Sequence, residues 1–470
     1  MKNYNYTFLL SISLVAALGG LLFGYDWVVI GGAKPFYELY FGISNSPALQ
    51  GWAMSSALVG CMGGAAVAGK LADAYGRRPL LIVAAILFSL SALGTGLSES
   101  FTAFIIWRII GGAGIGIAST ISPLYIAEIA PQETRGLFVS INQLTLVLGI
   151  LGAQITNMLI TEAIPNGFLP EEILASWNGQ TGWRWMFWAG LLPAVLFFVL
   201  MFLIPESPRY LAKKGQYAKA QGTLSKIGGT DYAENELAQI KETFTATDEP
   251  HSSLKAVLDK KAMGILVIGI VLAAFQQWCG INIIFNYAQE IFVSAGYSIN
   301  DLFMNIVITG SINLVFTIVA MGTVDKFGRK KLMLIGSGGL AVIYAVMGYF
   351  YYTQVTGLPL LLLVLLAIAI YAMSLAPIVW VILSEIFPNR IRGVAMSIST
   401  FALWIASALL VQTFPFLNEG LGTAGTFWIY GIICVLGFVF VWKKLPETKN
   451  KSLEEIEQLM LDNKTPVQKP

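Results

Sequence analysis

About twelve stretches of this chain are apolar over roughly 20 residues, the length an α-helix needs to cross ~30 Å of hydrocarbon, and this limits the fold more than any other feature. They lie near 8–31, 48–71, 79–97, 102–126, 137–161, 184–204, 262–292, 302–323, 332–353, 358–384, 393–416 and 422–442. With 56% hydrophobic and 12% charged residues and a mean hydropathy of +0.70, the chain is too apolar for a soluble globule. The expected fold is an all-α membrane protein with twelve transmembrane helices in two six-helix bundles. The boundaries read as a first bundle over 1–204, a cytoplasmic helical linker over 205–261, a second bundle over 262–445 and a cytoplasmic tail over 446–470.

Charge placement gives the orientation. With the N-terminus inside, the 29 Lys and Arg fall on the cytoplasmic side except Lys34 and Arg184 near the outer surface and Arg108 within a span, so both termini are expected to be cytoplasmic. The first apolar run is as long as a full span and reads as a retained helix of a multi-pass plasma or inner-membrane protein. Cys61, Cys279 and Cys434 are too few and scattered for a disulfide framework or a metal cluster. The single histidine, His251, lies in the polar linker, which excludes a histidine-based catalytic or metal site within the membrane. No catalytic residue, cofactor or metal is expected, and nothing points to nucleic acid.

Three motifs occur twice, roughly 250 residues apart, in the pattern of parallel repeats. Asp73-Ala74-Tyr75-Gly76-Arg77-Arg78 recurs as Asp325-Lys326-Phe327-Gly328-Arg329-Lys330. Glu128 followed by Arg135-Gly136 recurs as Glu385 followed by Arg392-Gly393, and Pro205-Glu206-Ser207 recurs as Pro446-Glu447-Thr448. Such a chain reads as a transporter that rocks one half against the other around a central site. At cytoplasmic helix ends, Arg77, Glu128, Arg135 and Glu206, with Arg329, Glu385, Arg392 and Glu447, would form carboxylate–guanidinium latches that shut the inner side in one state. Basic loop residues are also plain topology signals, but topology does not account for the matched glutamates.

Departures from the repeat carry the chemistry. Asp26 lies deep in the first apolar run, where an unpaired charge costs about 2.5 to 3.5 kcal/mol even on lenient insertion scales. Arg108 is the basic residue within a span of the first half and can pair with it. Burial favours the neutral acid and a nearby guanidinium the carboxylate, so a change in their separation or hydration would take up or release a proton. One charge moved through 100 mV is worth ~2.3 kcal/mol, enough for roughly a fifty-fold gradient. The second half has no such pair. It offers Gln276, Gln277, Asn282, Asn286 and Asn313 beside Trp380 and Trp404. Carboxamides that donate and accept, next to indole faces, suit a neutral polyhydroxylated ligand. In an unbroken helix Gln276 and Asn282 would point apart, but Gly280 permits a break that turns both inward. Gln143 and Gln154 share one helical face and could supply the opposite wall.

These motifs, with Pro205-Glu206-Ser207-Pro208-Arg209, Gln276-Gln277-x-x-Gly280-Ile281-Asn282 and Pro446-Glu447-Thr448-Lys449, resemble the sugar porters of the major facilitator superfamily over residues 8–450. Within that family the chain looks like bacterial xylose/proton and arabinose/proton symporters and, more distantly, mammalian glucose facilitators. The resemblance implies that Gln143, Gln276, Gln277, Asn282, Asn313 and Trp380 contact sugar hydroxyls, with Trp404 and Phe23 lining the cavity. It also implies that Asp26 and Arg108 couple a proton to transport of a small neutral monosaccharide by a monomer working by alternating access. Ile150, Leu403, Asn286 and Ala376 stand where relatives carry other residues, and these positions bear on which sugar is carried. The competing readings are a proton-independent facilitator with Asp26 as a structural charge, and a membrane sugar sensor. No Walker-type glycine loop is present, so ATP-driven pumping is not expected.

Overall fold

A computed structural model of the protein describes residues 4–131, 134–165, 169–245, 260–387 and 391–449, together with residue 460. His251, the linker positions around it and the tail run Ser452–Leu459 lie outside the described residues. All regular structure among the described residues is helical. In chain order the helices are α1 Tyr6–Tyr40, α2 Pro47–Tyr75, α3 Arg77–Gly96, α4 Phe101–Ile129, α5 Arg135–Ile160, α6 Pro170–Ala175, α7 Trp183–Ala189 and α8 Leu191–Leu200. They continue as α9 Pro208–Lys213, α10 Tyr217–Thr245, α11 Lys260–Trp278, α12 Ile281–Asn286, α13 Ala288–Ser294 and α14 Ile299–Phe327. The last are α15 Arg329–Tyr352, α16 Leu358–Met373, α17 Leu375–Ile386 and α18 Arg392–Lys444.

Eleven helical stretches of the described chain are long and apolar enough to cross a membrane. The last contains Gly422 at φ 67°, a backbone that ends one helix and starts another, so α18 comprises two spans. This gives the twelve that composition implies. The first helix differs in extent: α1 has 35 residues, about 52 Å at the usual rise, and runs through Pro35 to Tyr40 instead of stopping near residue 31. Its start is set by Asn5, whose side chain accepts the Phe8 N–H at 3.0 Å. Ser46 before Pro47 and Ser100 before Phe101 open α2 and α4 in the same way.

The described residues divide into two compact units. The first takes residues up to 245 together with 286–289 and 298–310. The second takes 260–285, 290–297 and 311 onward, so α14 passes from the first unit to the second between Gly310 and Ser311. In the first unit α2 packs on α4 and α1 on α5. The close approach depends on small residues set one turn apart. A Cβ on Gly60 or Gly64 would strike the backbone of α4 at Ile109 or Ala113, and one on Gly112 or Gly116 would strike the Ala57 or Cys61 carbonyl of α2. Gly24 and Gly149 meet the opposing backbones of α5 and α1 in the same manner.

The linker helices belong to the first unit. Leu211, Ala212, Ala220, Leu224, Ala233 and Leu237 form a small core, and α10 is broken at Gly228 and Gly229. The Asn5 N–H donates to the Ile227 carbonyl at 2.7 Å, which ties the start of α1 to this core.

The repeat seen in sequence extends to hydrogen bonds. In the first unit Trp188 Nε1 donates to the Leu93 carbonyl of α3, and Arg78 Nε to the Met201 carbonyl. In the second, Trp428 Nε1 donates to the Ala345 carbonyl of α15, and Lys330 Nζ to the Trp442 carbonyl.

Substituting Gly112 by alanine is expected to destabilise the protein by about 1–3 kcal/mol through overpacking of α2 on α4. Gly152, which a Cβ would leave in open space, is the control, and its alanine variant should be neutral or stabilised. Thermal unfolding in detergent micelles measures both.

Candidate functional site

In the first unit, α1 and α4 bring Asp26 and Arg108 together. Arg108 Nη1 lies 2.8 Å from Asp26 Oδ1, with the side chains 2% and 15% exposed. A second guanidinium nitrogen reaches the Asp26 backbone carbonyl at 3.5 Å, and the guanidinium stands over the Phe187 ring. Asp26 Oδ2 is buried with no hydrogen-bond partner among the described residues. The carboxylate is therefore held by one oxygen only. Phe23, one turn earlier on α1, packs edge-on to Trp27. Gln143 is half-buried on α5.

In the second unit the expected break is present. α11 ends at Trp278, Gly280 has φ 86°, where a side chain would be strained, and α12 begins at Ile281. Across that break the carboxamides form a chain. Asn282 Nδ2 donates to Gln277 Oε1 at 2.6 Å, and Gln277 Nε2 to Gln276 Oε1 at 3.4 Å. Gln276 Nε2 in turn donates to the Leu375 and Ala376 carbonyls, each at 3.1 Å. Those carbonyls open α17, where Ser374 interrupts the helix with φ −128° and ψ −87°. Two broken helices are thus joined by side-chain amides. Asn313 on α14 and Trp404 on α18 are buried, and Trp380 on α17 is exposed.

The repeated motifs build one clasp in each unit. Arg77 Nη2 pairs with Glu128 Oε1 at 2.9 Å, and the Ser207 hydroxyl donates to the other oxygen of Glu128. Arg329 Nη2 pairs with Glu385 Oε1 at 3.1 Å, and the Thr448 hydroxyl donates to Glu385 Oε2. Glu206 accepts the N–H groups of Arg77 and Arg78, the first residues of α3, and Glu447 those of Arg329 and Lys330, the first of α15. Each carboxylate satisfies donors that a helix start leaves open and meets the positive end of the helix dipole. Gly76 at φ 107° and Gly328 at φ 88° let the chain turn between helices within one residue. Arg135 does not join: it is exposed and makes no ion pair among the described residues. The side chain of Arg392 lies outside the described residues.

One pair escaped the sequence reading. Lys34 Nζ lies 2.9 Å from Glu38 Oε1, with side chains 3% and 8% exposed, and the ammonium stands 5.4 Å from the Tyr287 ring centroid. Placing Lys34 near the outer surface followed from ending the first helix near residue 31. The signal available was the i,i+4 spacing of opposite charges, masked by Pro35 between them.

Burial holds the Glu206 carboxyl above its ordinary 4.5, outweighing the N–H groups of Ser207, Arg77 and Arg78 and the Arg77 charge, which pull it down. Above pH 4.5 the unfolded chain then loses this proton before the folded one does, so the Glu206 contribution to stability falls as pH rises through that window and levels off beyond it. The expected outcome is that the melting temperature of wild type relative to Glu206→Gln declines between pH 4.5 and the raised value. Parallel thermal melts across that range measure it.

The sequence model of the sugar (and other) transporter family matches residues 12–460. The chain is 40% identical to the D-xylose-proton symporter of Escherichia coli K12, covering 97% of this chain and 96% of that one. It is also 40% identical to the arabinose-proton symporter of Bacillus subtilis, over 98% and 97%. Among solved structures, the inward-open xylose transporter of E. coli superposes with a TM-score of 0.83 at 38% identity, over 96% of this chain and 99% of that one. The major facilitator superfamily proton:xylose symporter bound to 6-bromo-6-deoxy-D-glucose superposes with a TM-score of 0.80 at 39% identity, over 97% and 100%. With its twelve spans, its repeated clasps and these likenesses over nearly its whole length, the chain belongs to the sugar transporter family of the major facilitator superfamily.

Proposed function

We propose that this protein is a proton-coupled symporter that carries a neutral monosaccharide, xylose foremost, across the membrane by alternating access. The observation that carries the reading is the Asp26–Arg108 pair: a half-buried carboxylate bonded to the guanidinium through one oxygen, its other oxygen buried with no hydrogen-bond partner among the described residues. Protonation cancels its attraction for the guanidinium, and that change in pairing is what links proton uptake to a conformational change. The carboxamide chain Gln276–Gln277–Asn282, pre-organised by its own hydrogen bonds, is suited to sugar hydroxyls. With it we place Gln143, Asn313, Trp380, Trp404 and Phe23 as sugar contacts. Relatives named for xylose, arabinose and glucose support a pentose or hexose. The protein acts as a carrier rather than an enzyme and works as a monomer.

Both termini are placed in the cytoplasm of a plasma or inner membrane, because the basic residues concentrate on that face. The two clasps then lie on the cytoplasmic side. The role proposed for these pairs is to shut the inner side in the outward-open state; here each one ties residues of its own unit.

Proteoliposomes with an imposed inward proton gradient should accumulate labelled xylose above its external concentration, and counterflow across a panel of monosaccharides ranks the substrates. Asp26→Asn is expected to keep counterflow and lose uphill accumulation. Survival of uphill accumulation in that variant would remove Asp26 from the coupling role and leave a facilitator with a structural charge.

A further inference from the structure

Gln154 of α5 is 1% exposed, and neither its carboxamide oxygen nor its nitrogen has a hydrogen-bond partner among the described residues. A buried carboxamide left unmatched destabilises the state that contains it, and each such group in a native structure calls for an explanation. What covers it is Gly310 of α14. A Cβ built on Gly310 would overlap Gln154 Oε1 and come within 3.2 Å of the Leu151 side chain. The helix approaches this closely only because position 310 has no side chain. Gly310 is also the last residue of α14 grouped with the first unit, and Ser311 begins the part grouped with the second. Gln154 is therefore covered by the last residue of that α14 segment.

Position along α5 adds a second argument. Gln154 lies 11 residues from Gln143, about three turns, so the two share a face. Ile150 lies on that face between them and is buried and apolar, so the face offers hydrogen bonds at its two ends and none in the middle. On the orientation proposed above, Gln154 occupies the outer half of the span.

We infer that Gln154 is a state-dependent contact for sugar hydroxyls: covered by Gly310 in this conformation, it binds the entering sugar once residues 298–310 withdraw from α5. The inference rests on the sugar-transport reading. A carboxamide both donates and accepts, so it can span two neighbouring hydroxyls of a neutral sugar. It acts on sugar arriving from outside, and sugar loaded from the inside does not meet it first.

The test compares wild type with Gln154→Leu and Gln154→Asn in oriented vesicles. KM for xylose is measured for uptake from the outer face and for efflux from the inner face, alongside the melting temperature. For Gln154→Leu the expected result is an uptake KM raised on the order of five- to tenfold, as for loss of one or two hydrogen bonds. Its efflux KM should stay within twofold of wild type, and its melting temperature should be unchanged or higher because an unmatched buried group is gone. Gln154→Asn should fall between the two. An uptake KM within twofold of wild type, or equal rises in both directions, would overturn the proposal while leaving the transport reading intact. A wild type that carries none of the sugars in the counterflow panel would overturn both.

Discussion

Helix ends and breaks leave backbone groups without intrahelical partners, and in this protein several of them are made good by side chains from elsewhere in the chain. The turn at Gly76 exposes the first N–H groups of α3, and Glu206 takes them; Glu447 does the same for α15 after Gly328. Beside the break at Ser374, Gln276 donates to the carbonyls of Leu375 and Ala376, the first residues of α17. Gln276 belongs to a different helix, and Glu206 and Glu447 lie in non-helical segments far along the chain, so mending the backbone also fastens distant parts of the chain together. The clasps at Glu128 and Glu385 extend this, since each carboxylate is shared between a guanidinium that starts one helix and the hydroxyl of Ser207 or Thr448.

The same constraint explains how buried charge is arranged. Lys34 and Glu38 are one turn apart on one helix, where proximity is built in and lasting. Asp26 and Arg108 are on different helices and share one short hydrogen bond, so their pairing depends on how α1 and α4 are placed. A pair of the first kind suits structure, and a pair of the second kind can respond to protonation. In the second unit the corresponding need for polarity is met with neutral carboxamides, which do not titrate and which bond to hydroxyls without regard to pH. The proposed division of labour between proton and sugar rests on this choice of side chains.

The spans, the repeat and the positions of the polar residues within the spans were legible in the sequence because their signals are local. A 20-residue apolar run, a Gly-Arg-Arg turn and an aspartate among leucines and valines can each be read without knowing what lies opposite. The break at Gly280 was legible for the same reason. Helix ends were less so: α1 runs through Pro35 because a proline within a long helix costs little when neighbouring helices cover the interruption. The role of Arg135 was misjudged, since a basic residue seven positions after a glutamate can face solvent as readily as a partner.

Sequence by itself determined that the chain is a membrane protein of two repeated halves, with an acid–base pair in the first and a carboxamide cluster in the second. Tertiary structure alone decided that Glu206 and Glu447 close helix starts, that Gln276, Gln277 and Asn282 form one bonded chain, and that Gln154 is capped by Gly310. The reason is physical: apolar length and residue spacing are properties of a segment, whereas satisfaction of a buried polar atom depends on which distant residue packs against it. Glu206 and Arg77 are 129 residues apart in the chain, and only the fold brings the carboxylate to the helix start that needs it.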